Sequence, residues 1–498
     1  MSMETALLAT IFLPLVGMVL IWLTGNVPNL REAVTLVTAI VLFTIVLSLL
    51  DAVMAGERPE LTLLEVMPGL KIAFAVEPLG MLFACIASGL WIVNSLYSIG
   101  YMRGNDEKKQ TRFYMCFTIA ISSAMGIAFA GNMFTLFIFY EALTLSTYPL
   151  VAHKETPDAK RGARIYIGIL IGTSIGLQLA AVIWTWIAAG TLDFTKGGIL
   201  ADKVEPVLLP FLLALYMFGI GKAALMPFHR WLPAAMVAPT PVSALLHAVA
   251  VVKAGVFTVL KVVVYIFGID LLAETGAAHW LIWVASFTVL AASLVAMSKD
   301  NLKARLAYST ISQLGYIVLG AALANHYAIL GGALHIATHA FGKITLFMCA
   351  GAIYVATHKT EISDMRGLGR AMPFTFGAFC IGAFSIIGLP PFAGTWSKWY
   401  LALGAVETGM LVVVAVYMIS SLLNIAYLIP IVARGFFRPS PALATASAGA
   451  AVAPTKGGMQ EAPFFCVLPP CLTALGCLIL FFYADAIIAL LRPIVEGG

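Results

Sequence analysis

GIGKAALMPFHRWLPAAMVAPTPVSALLHAVAVVKAGVF, residues 219–257, is the stretch that decides the fold class. It is apolar enough to lie in a lipid bilayer, yet it carries five cationic or titratable side chains: Lys222, His229, Arg230, His247 and Lys253. A charged side chain at the centre of a membrane helix costs about 2.5–3.5 kcal/mol on insertion scales. Pro227 also interrupts the helix shortly after Lys222. A membrane segment that keeps both features is predicted to be functional.

The rest of the chain has the composition of a membrane protein. Of its 498 residues, 61% are hydrophobic and 11% are charged, and the mean hydropathy is +0.97. A soluble domain carries roughly 25% charged residues. Apolar stretches long enough to cross a bilayer recur along nearly the whole chain. They predict a single all-α polytopic unit with about fourteen transmembrane helices, TM1–TM14: 5–24, 31–52, 76–101, 112–131, 133–152, 162–190, 207–228, 240–267, 278–298, 305–323, 327–356, 372–403, 405–433 and 463–491.

The distribution of Lys and Arg predicts the orientation of the chain. Nineteen of these residues lie in the loops that follow odd-numbered helices, whereas five lie in the even loops and the termini. Loops rich in Lys and Arg stay in the cytoplasm. We therefore expect a multi-pass protein of the inner (plasma) membrane with both termini on the non-cytoplasmic side.

Two interrupted helices predict an internal repeat. TM7 contains MPFHRWLP at 226–233, and TM12 contains GLPPFAGTWSK at 388–398. Broken helices at corresponding positions mark the transport site of carriers with inverted repeats, and a displacement of five helices inverts the orientation. The predicted division of the chain is TM1–TM3 at 1–111, a first inverted repeat of TM4–TM8 at 112–268, a second of TM9–TM13 at 269–437, a Pro/Ala/Gly-rich cytoplasmic loop at 438–462, and TM14 at 463–498.

Apart from charged residues near helix ends or loops, one acid and five lysines fall inside predicted helices. Glu141 is the one acid deep within a helix, and the cations are Lys222, Lys253, Lys261, Lys343 and Lys398. Together they would cost on the order of 15 kcal/mol, as much as the whole stability of a domain. Lys261 lies near the end of TM8, where snorkelling to the interface explains it as well as function does. The other lysines predict an ion-conducting path rather than a passive scaffold.

TM11 contains a titratable stripe. His335, His339 and Lys343 are four residues apart and share one face of the helix. Linked by water, such groups can pass a proton along the membrane plane. A metal or haem site at the two histidines is disfavoured because no cluster of carboxylates or cysteines accompanies them. The seven cysteines are scattered and form no CxxC pair.

Four segments together resemble the antiporter-like subunits of the Mrp and respiratory complex I superfamily. They are FYEALTLSTYPL at 139–150, the 219–257 stretch, HIATHAFGKITLFMCAGAI at 335–353 and GLPPFAGTWSKW at 388–399. The resemblance covers the predicted helical core. It implies an inverted repeat with two half-channels that are joined by a lateral hydrophilic axis.

The resemblance also implies roles for individual residues. The proton-translocating groups of the family match Glu141, Lys222, His247, Lys253, His335, His339, Lys343 and Lys398 of this sequence. In this scheme Glu141 and Lys222 form an ion pair and Lys253 is the central lysine. Lys398 takes the terminal position, which is lysine in some members of the family and glutamate in others.

The length and motifs most resemble the D subunit of an Mrp-type antiporter. That resemblance implies a non-enzymatic subunit of a hetero-oligomeric membrane complex that exchanges Na⁺ or K⁺ for H⁺, with no cofactor, metal or nucleic acid. The alternatives are a proton-pumping subunit of a complex I-like oxidoreductase or membrane hydrogenase, and a subunit of an inorganic-carbon uptake complex. The sequence leaves open which cation is exchanged and which complex the chain joins.

Overall fold

The computed structural model describes residues 2–245, 250–439 and 459–496. The candidate residue His247 lies outside the described residues, as does most of the predicted loop at 438–462.

The first part of the chain forms seven helices and one hairpin. Their bounds are α1 Met3–Leu23, α2 Pro28–Met54, β1 Glu60–Met67, β2 Leu70–Ala75, α3 Pro78–Gly104, α4 Gln110–Ala128, α5 Met133–Val151, α6 Pro157–Thr173 and α7 Leu179–Ala189. A short π-helical segment, Ser174–Gln178, joins α6 to α7, so that the two form one span of 33 residues.

The second part begins with short elements around the first helix break. They are α8 Leu209–Gly219, α9 Trp231–Ala234, α10 Thr240–Leu245, α11 Val251–Lys261 and α12 Ile269–Thr275. A π-helical segment, Val262–Phe267, extends α11. The remaining helices are α13 His279–Ser298, α14 Leu302–Ala322, α15 His326–Thr357, α16 Leu368–Ala371, α17 Pro373–Ile387, α18 Gly394–Glu407, α19 Leu411–Phe437, α20 Phe464–Phe482 and α21 Ala484–Leu491.

The predicted fold class is confirmed, but the count of fourteen spans is not. Within the described residues, ten helices are long and apolar enough to cross a membrane, or eleven if the pair around Gly268, bent by 78°, is one span. Predicted TM10 corresponds to α14, which is not among them because it carries buried polar residues such as Ser309 and Gln313. A helix enclosed by other helices can be polar because it does not face lipid.

Both predicted helix breaks are present. The first ends α8 at Gly219, and a 3₁₀ turn at Gly221–Ala223 and irregular backbone precede Trp231. The second separates α17 from α18 at 388–393. Gly388 has a φ of +89°, which favours glycine, and a Cβ at this position would lie 2.8 Å from Cδ of Lys398. The symmetry of the two five-helix repeats and the domain bounds remain predictions.

A two-stranded antiparallel hairpin was not expected from the sequence. Strands β1 and β2 pair from Glu60 with Ala75 to Met67 with Leu70. Single bridges connect Phe74 to Ala130, at the end of α4, and Asn132 to Asp193. The hairpin therefore covers one end of the bundle, where the sequence analysis had placed only a connection between TM2 and TM3.

The helix α15 is the centre of the bundle. It packs against α14, α17, α18 and α20, and nearly all residues from Ala328 to Ile353 are buried. The broken segment packs closely on α11, because Gly255 has no side chain: a Cβ there would lie 2.3 Å from the carbonyl carbon of Lys222. This contact brings the irregular backbone at Lys222 beside the helix that carries Lys253.

Candidate functional site

Lys222 is held by α5 at the first helix break. Its side chain is fully buried, and Nζ donates to the carbonyl of Tyr140 at 2.8 Å and to the hydroxyl of Thr144 at 2.6 Å. The same nitrogen lies 3.1 Å from the centre of the Tyr140 ring. Carbonyl, hydroxyl and ring all favour the ammonium form. The cation is therefore solvated by protein groups rather than by water.

The predicted ion pair between Glu141 and Lys222 is not formed in this structure. Among the described residues, no ion pair joins the two, although Glu141 directly follows Tyr140 in α5. Both carboxylate oxygens of Glu141 are buried and have no hydrogen-bond partner among those residues. The carboxylate and the ammonium are thus neighbours that have not paired.

Lys253 and His339 are in direct contact. Nζ of Lys253 lies 2.7 Å from Nδ1 of His339, and both side chains are buried. This contact joins α11 to α15. Two groups that can each carry a proton, at hydrogen-bond distance and shielded from water, can exchange one directly.

His335 continues the path along α15. Its ring is stacked on that of His339, with 5.6 Å between the ring centres, and its Nδ1 lies 2.9 Å from Oγ of Ser397. Nε2 of each histidine is buried and unpartnered among the described residues. Ser397 belongs to α18 and lies one residue before Lys398. The stripe therefore leads from α11 towards the second helix break.

Lys398 lies at that break and is half-buried. Its Nζ donates to the carbonyl of Ile387 and to the hydroxyl of Ser421, each at 3.0 Å. It also lies 5.0 Å from the centre of the Tyr316 ring, which stacks on His335 with 5.7 Å between ring centres. Tyr316 thus contacts both the histidine path and the terminal lysine.

Among the described residues, Lys343 forms no hydrogen bond with the two histidines that precede it on the helix. Its Nζ donates to Oγ of Ser309 at 2.5 Å and to the carbonyl of Leu306 at 3.3 Å. The hydroxyl of Tyr427 donates to Ser309 at 2.8 Å. The structure therefore connects Lys343 to α14 and α19 through hydroxyl groups.

Sequence reasoning missed the hydroxyl-bearing residues that surround the buried lysines and histidines. They are Tyr140, Thr144, Ser309, Tyr316, Ser397, Ser421 and Tyr427. Buried Ser, Thr and Tyr are common in membrane helices, where they also bond to backbone carbonyls of their own helix. The only feature of the sequence that could have indicated them is that Ser, Thr and Tyr recur in the helices next to those that carry the charged residues.

The loops with the predicted positive excess contact one another. Lys109 and Arg112 donate to Oε1 of Glu155 at 2.6 and 2.7 Å, and these two cations lower the pKa of that carboxyl to about 2. Burial, together with the nearby Arg112 guanidinium, lowers the pKa of His153 to about 4. His153 is therefore neutral at pH 7, and the loops after TM3 and TM5 form one charged surface.

No group of three or more His, Cys, Asp or Glu side chains placed to hold a metal ion occurs in the described ranges. The side chains around His335 and His339 are lysines, hydroxyls and a tyrosine ring. Lysine ammonium groups repel a cation, so this donor set suits proton exchange better than metal ligation.

The chain was compared with protein families and curated sequences. The model of the family described as NADH:quinone oxidoreductase/Mrp antiporter, TM, matches residues 130–424, which include all eight predicted site positions. Subunit N of the NADH-quinone oxidoreductase of Desulforudis audaxviator is 29% identical over 93% of this chain and 92% of its own length. Chain 5 of the NAD(P)H-quinone oxidoreductase of Synechocystis is 33% identical over 66% of this chain, and the match spans about half of that longer protein, 49%.

Solved structures with the same fold were also found. A chain of the Mrp complex from Dietzia superposes with a TM-score of 0.86 at 20% identity and covers 99% of this chain and 97% of that one. A chain of an archaeal membrane-bound sulfane sulfur reductase has the same TM-score at 23% identity and covers 99% and 98%. The family match, the shared fold and the buried lysines lead to one conclusion: this chain is a multi-pass membrane protein that belongs to the family of antiporter-like transmembrane subunits found in NADH:quinone oxidoreductases and Mrp antiporters.

Proposed function

We propose that the chain translocates protons as the antiporter-like subunit of a multisubunit membrane complex. The observation that carries this proposal is the buried contact between Lys253 and His339, with 2.7 Å between Nζ and Nδ1. From it, contacts continue through the ring of His335, which stacks on His339, to Ser397, the residue before Lys398. A path of this kind has groups that accept and release protons at each step, whereas a structural network needs only fixed donors and acceptors.

The helix breaks supply the two ends of the path. Lys222 and Lys398 each lie beside interrupted backbone, which is tolerated at membrane depth only where protein or a wet cavity satisfies it. We propose that Glu141 pairs with Lys222 in one state and separates from it in another. At about 4 Å and an effective dielectric constant near 20, such a pair attracts by roughly 4 kcal/mol. This is similar to the cost of burying the charge, so small movements would load or release the proton.

For the complex itself, we propose an Mrp-type assembly that exchanges Na⁺ or K⁺ for H⁺ across the inner membrane, with both termini outside. The motifs, which most resemble those of the D subunit of such antiporters, support this choice. The fold alone does not discriminate, because the chains of the Dietzia Mrp complex and of the sulfane sulfur reductase superpose with the same TM-score of 0.86. A second candidate is a redox-driven proton pump. It is favoured by the match along nearly the whole chain to a subunit N of an NADH-quinone oxidoreductase.

Replacing Lys253 tests proton translocation. The complex is purified with its partner subunits and reconstituted in liposomes, and proton uptake is followed with a pH-sensitive dye. Arginine keeps the charge but does not release its proton. Lys253→Arg and Lys253→Ala should therefore both lower the rate by at least about 100-fold, the lower end of the range for loss of a proton-transfer group. Wild-type transport by Lys253→Arg in an assembled complex would show that charge alone suffices, contrary to the proposal.

The driving force separates the two candidate complexes. Vesicles energised with a Na⁺ or K⁺ gradient should acidify or alkalinise if the complex is an antiporter. Vesicles given a reduced electron donor and a quinone should do so if it is redox-driven. The Lys253→Ala complex is the control for both, because a signal that it retains does not pass through this subunit.

A further inference from the structure

A cavity under the β-hairpin contains a buried ion pair that the path described above does not use. The cavity has a volume of about 550 Å³ and lies between the hairpin, the start of α3, the 193–196 loop and the π-helical end of α11. Its rim includes exposed residues such as Thr62 and Lys196, so it is continuous with the aqueous phase. We call it the hairpin vestibule.

The ion pair joins Lys261 of α11 to Glu77 at the start of α3. Nζ of Lys261 lies 2.8 Å from Oε1 of Glu77, and the side chains are 1% and 12% exposed. The hydroxyl of Tyr265 donates to the other carboxylate oxygen. Lys261 also lies 4.0 Å from the centre of the Phe194 ring. A snorkelling lysine would extend into water, whereas this ammonium is enclosed between a carboxylate and aromatic rings.

The pair is placed on the route from the vestibule to Lys253. Lys253 and Lys261 are eight residues apart in α11, about 12 Å along one helix face. Phe257 lies midway between them on that face, and its ring centre is 6.0 Å from Nζ of Lys261. Directly after Lys261 the helix changes to π-helical geometry, which occurs frequently at functional sites. From the water inward, the order is therefore the hairpin vestibule, the Glu77–Lys261 ion pair, the ring of Phe257 and Lys253.

We propose that Glu77 and Lys261 form a proton-exchange gate between the hairpin vestibule and Lys253. Glu77 takes a proton from vestibule water and becomes neutral, which ends its attraction for Lys261. The Lys261 ammonium gives one proton to water that enters past Phe257, and this proton reaches the neutral amine of Lys253. The neutral Lys261 amine then takes the proton from Glu77, so the pair is restored and one proton has moved inward.

Other charged groups of the vestibule surround the gate and tune it. They are Arg58 after α2, Glu60 of β1, Lys71 of β2, and Asp193 and Lys196 of the loop after α7. Lys71 and Asp193 pair with one another at 3.4 Å, whereas Arg58 and Lys196 donate to the backbone carbonyls of Glu57 and Glu496. The side chains of Tyr265, Phe194 and Phe257 lie next to the gate itself. A proton arriving from water therefore meets Glu77 as the buried carboxylate of the vestibule.

The test is the response of transport to pH on the hairpin side only. In liposomes that hold the intact complex, the pH on that side is varied while the other side stays constant. Glu77→Gln should lower the rate by about tenfold or more and remove the dependence on hairpin-side pH, because the amide takes up no proton. Glu77→Asp, which keeps the carboxyl, should restore that dependence. Glu57→Gln, an exposed carboxylate outside the vestibule, is the matched control and should behave as wild type.

A second measurement does not depend on whether the Glu77 variants fold and assemble. Thr62 lines the vestibule, whereas its neighbour Leu63 is 49% exposed and does not. A cationic thiol reagent added from the hairpin side should slow transport several-fold in Thr62→Cys and leave Leu63→Cys and wild type unaffected. Labelled Thr62→Cys that transports at the unlabelled rate would overturn the gate.

The gate depends on the proposed proton path, and the two can fail separately. If Lys253→Ala has lost transport while Glu77→Gln keeps both the rate and the hairpin-side pH dependence of wild type, the ion pair is only structural. If Lys253→Ala still transports, it is the proton path through the bundle that is wrong.

Discussion

Lys222 and Lys398 have similar surroundings at the two helix breaks. Each ammonium donates to one backbone carbonyl and one hydroxyl and lies over a tyrosine ring. For Lys222 the carbonyl and the ring belong to Tyr140, and the hydroxyl belongs to Thr144. All of these groups come from α5, so a single rigid helix solvates the first lysine.

The surroundings of Lys398 differ in the source of negative charge. Its carbonyl is that of Ile387, the last residue of α17, where the helix dipole is negative. Its hydroxyl is that of Ser421, and no described carboxylate pairs with it. Lys222 instead has the unpaired carboxylate of Glu141 nearby. One lysine is thus stabilised by a fixed dipole, and the other can be stabilised by a carboxylate that is free to pair with it.

Removing the acid should have the largest effect. Glu141→Gln keeps the shape of the side chain but offers no negative charge to Lys222. We expect transport in the reconstituted complex to fall by about 100-fold or more, as for loss of a group that takes part directly in proton transfer. Glu141→Asp should retain part of the rate, and assembly, checked by size exclusion, should be unchanged. A fully active Glu141→Gln complex would mean that both lysines rely on fixed dipoles alone.

The fixed dipole at Lys398 can be disturbed through Gly388. A Cβ at Gly388 would crowd Cδ of Lys398, and at φ +89° it would also strain the backbone. Gly409 has a φ of +70° and open space around it, so Gly409→Ala carries the strain without the crowding. Each change should cost about 1–2 kcal/mol in stability. Transport should fall by about tenfold only in Gly388→Ala, because a small misplacement of a reacting group is enough for such a loss.

Similar losses in the two glycine variants would attribute the effect to backbone strain rather than to the position of Lys398. Thermal unfolding measured alongside transport provides the control, since the two variants should unfold at similar temperatures. A difference in transport at equal stability then isolates the lysine.

Removal of the hydroxyls should have the smallest effect and should differ between the two ends. Thr144→Val takes one of two hydrogen bonds from a fully buried ammonium, at a cost of about 1–3 kcal/mol. Ser421→Ala does the same to Lys398, which is half-buried, so water can replace the hydroxyl. We expect a reduction of several-fold in Thr144→Val and less than about twofold in Ser421→Ala. Equal losses of transport rate in the two variants would indicate that the two lysines are equally shielded from water.

The helix-level predictions rested on local signals. The breaks at 226–233 and 388–398 were read from proline and glycine, whose effects on the backbone do not depend on distant residues. The four matched segments likewise indicated the family, which the comparison confirmed. The count of fourteen helices was not confirmed, for two reasons. Helix α14 is shielded by other helices and so does not need to be apolar, and the predicted TM7, TM8 and TM12 are interrupted into shorter or bent helices.

The histidines and lysine on α15 show which contacts a sequence pattern can predict and which it cannot. The spacing of His335, His339 and Lys343 correctly assigned them to one helix, and the two histidines do stack. The spacing could not indicate that Lys343 bonds to Ser309 of α14 instead of to His339. Their roles in transport remain predictions, as does that of His247, which lies outside the described residues.

The sequence by itself determined that this is a membrane protein with buried cations beside two broken helices, because hydropathy, charge and proline act through the few residues around them. Only the tertiary structure decided which groups solvate those cations, since a lysine side chain reaches across to whichever helix packs against its own. Lys253 contacts a histidine and Lys343 a serine. Lys261 contacts a glutamate that is 184 positions away in the sequence. Such contacts depend on how the helices pack, and that follows from the burial of the whole bundle rather than from any one segment.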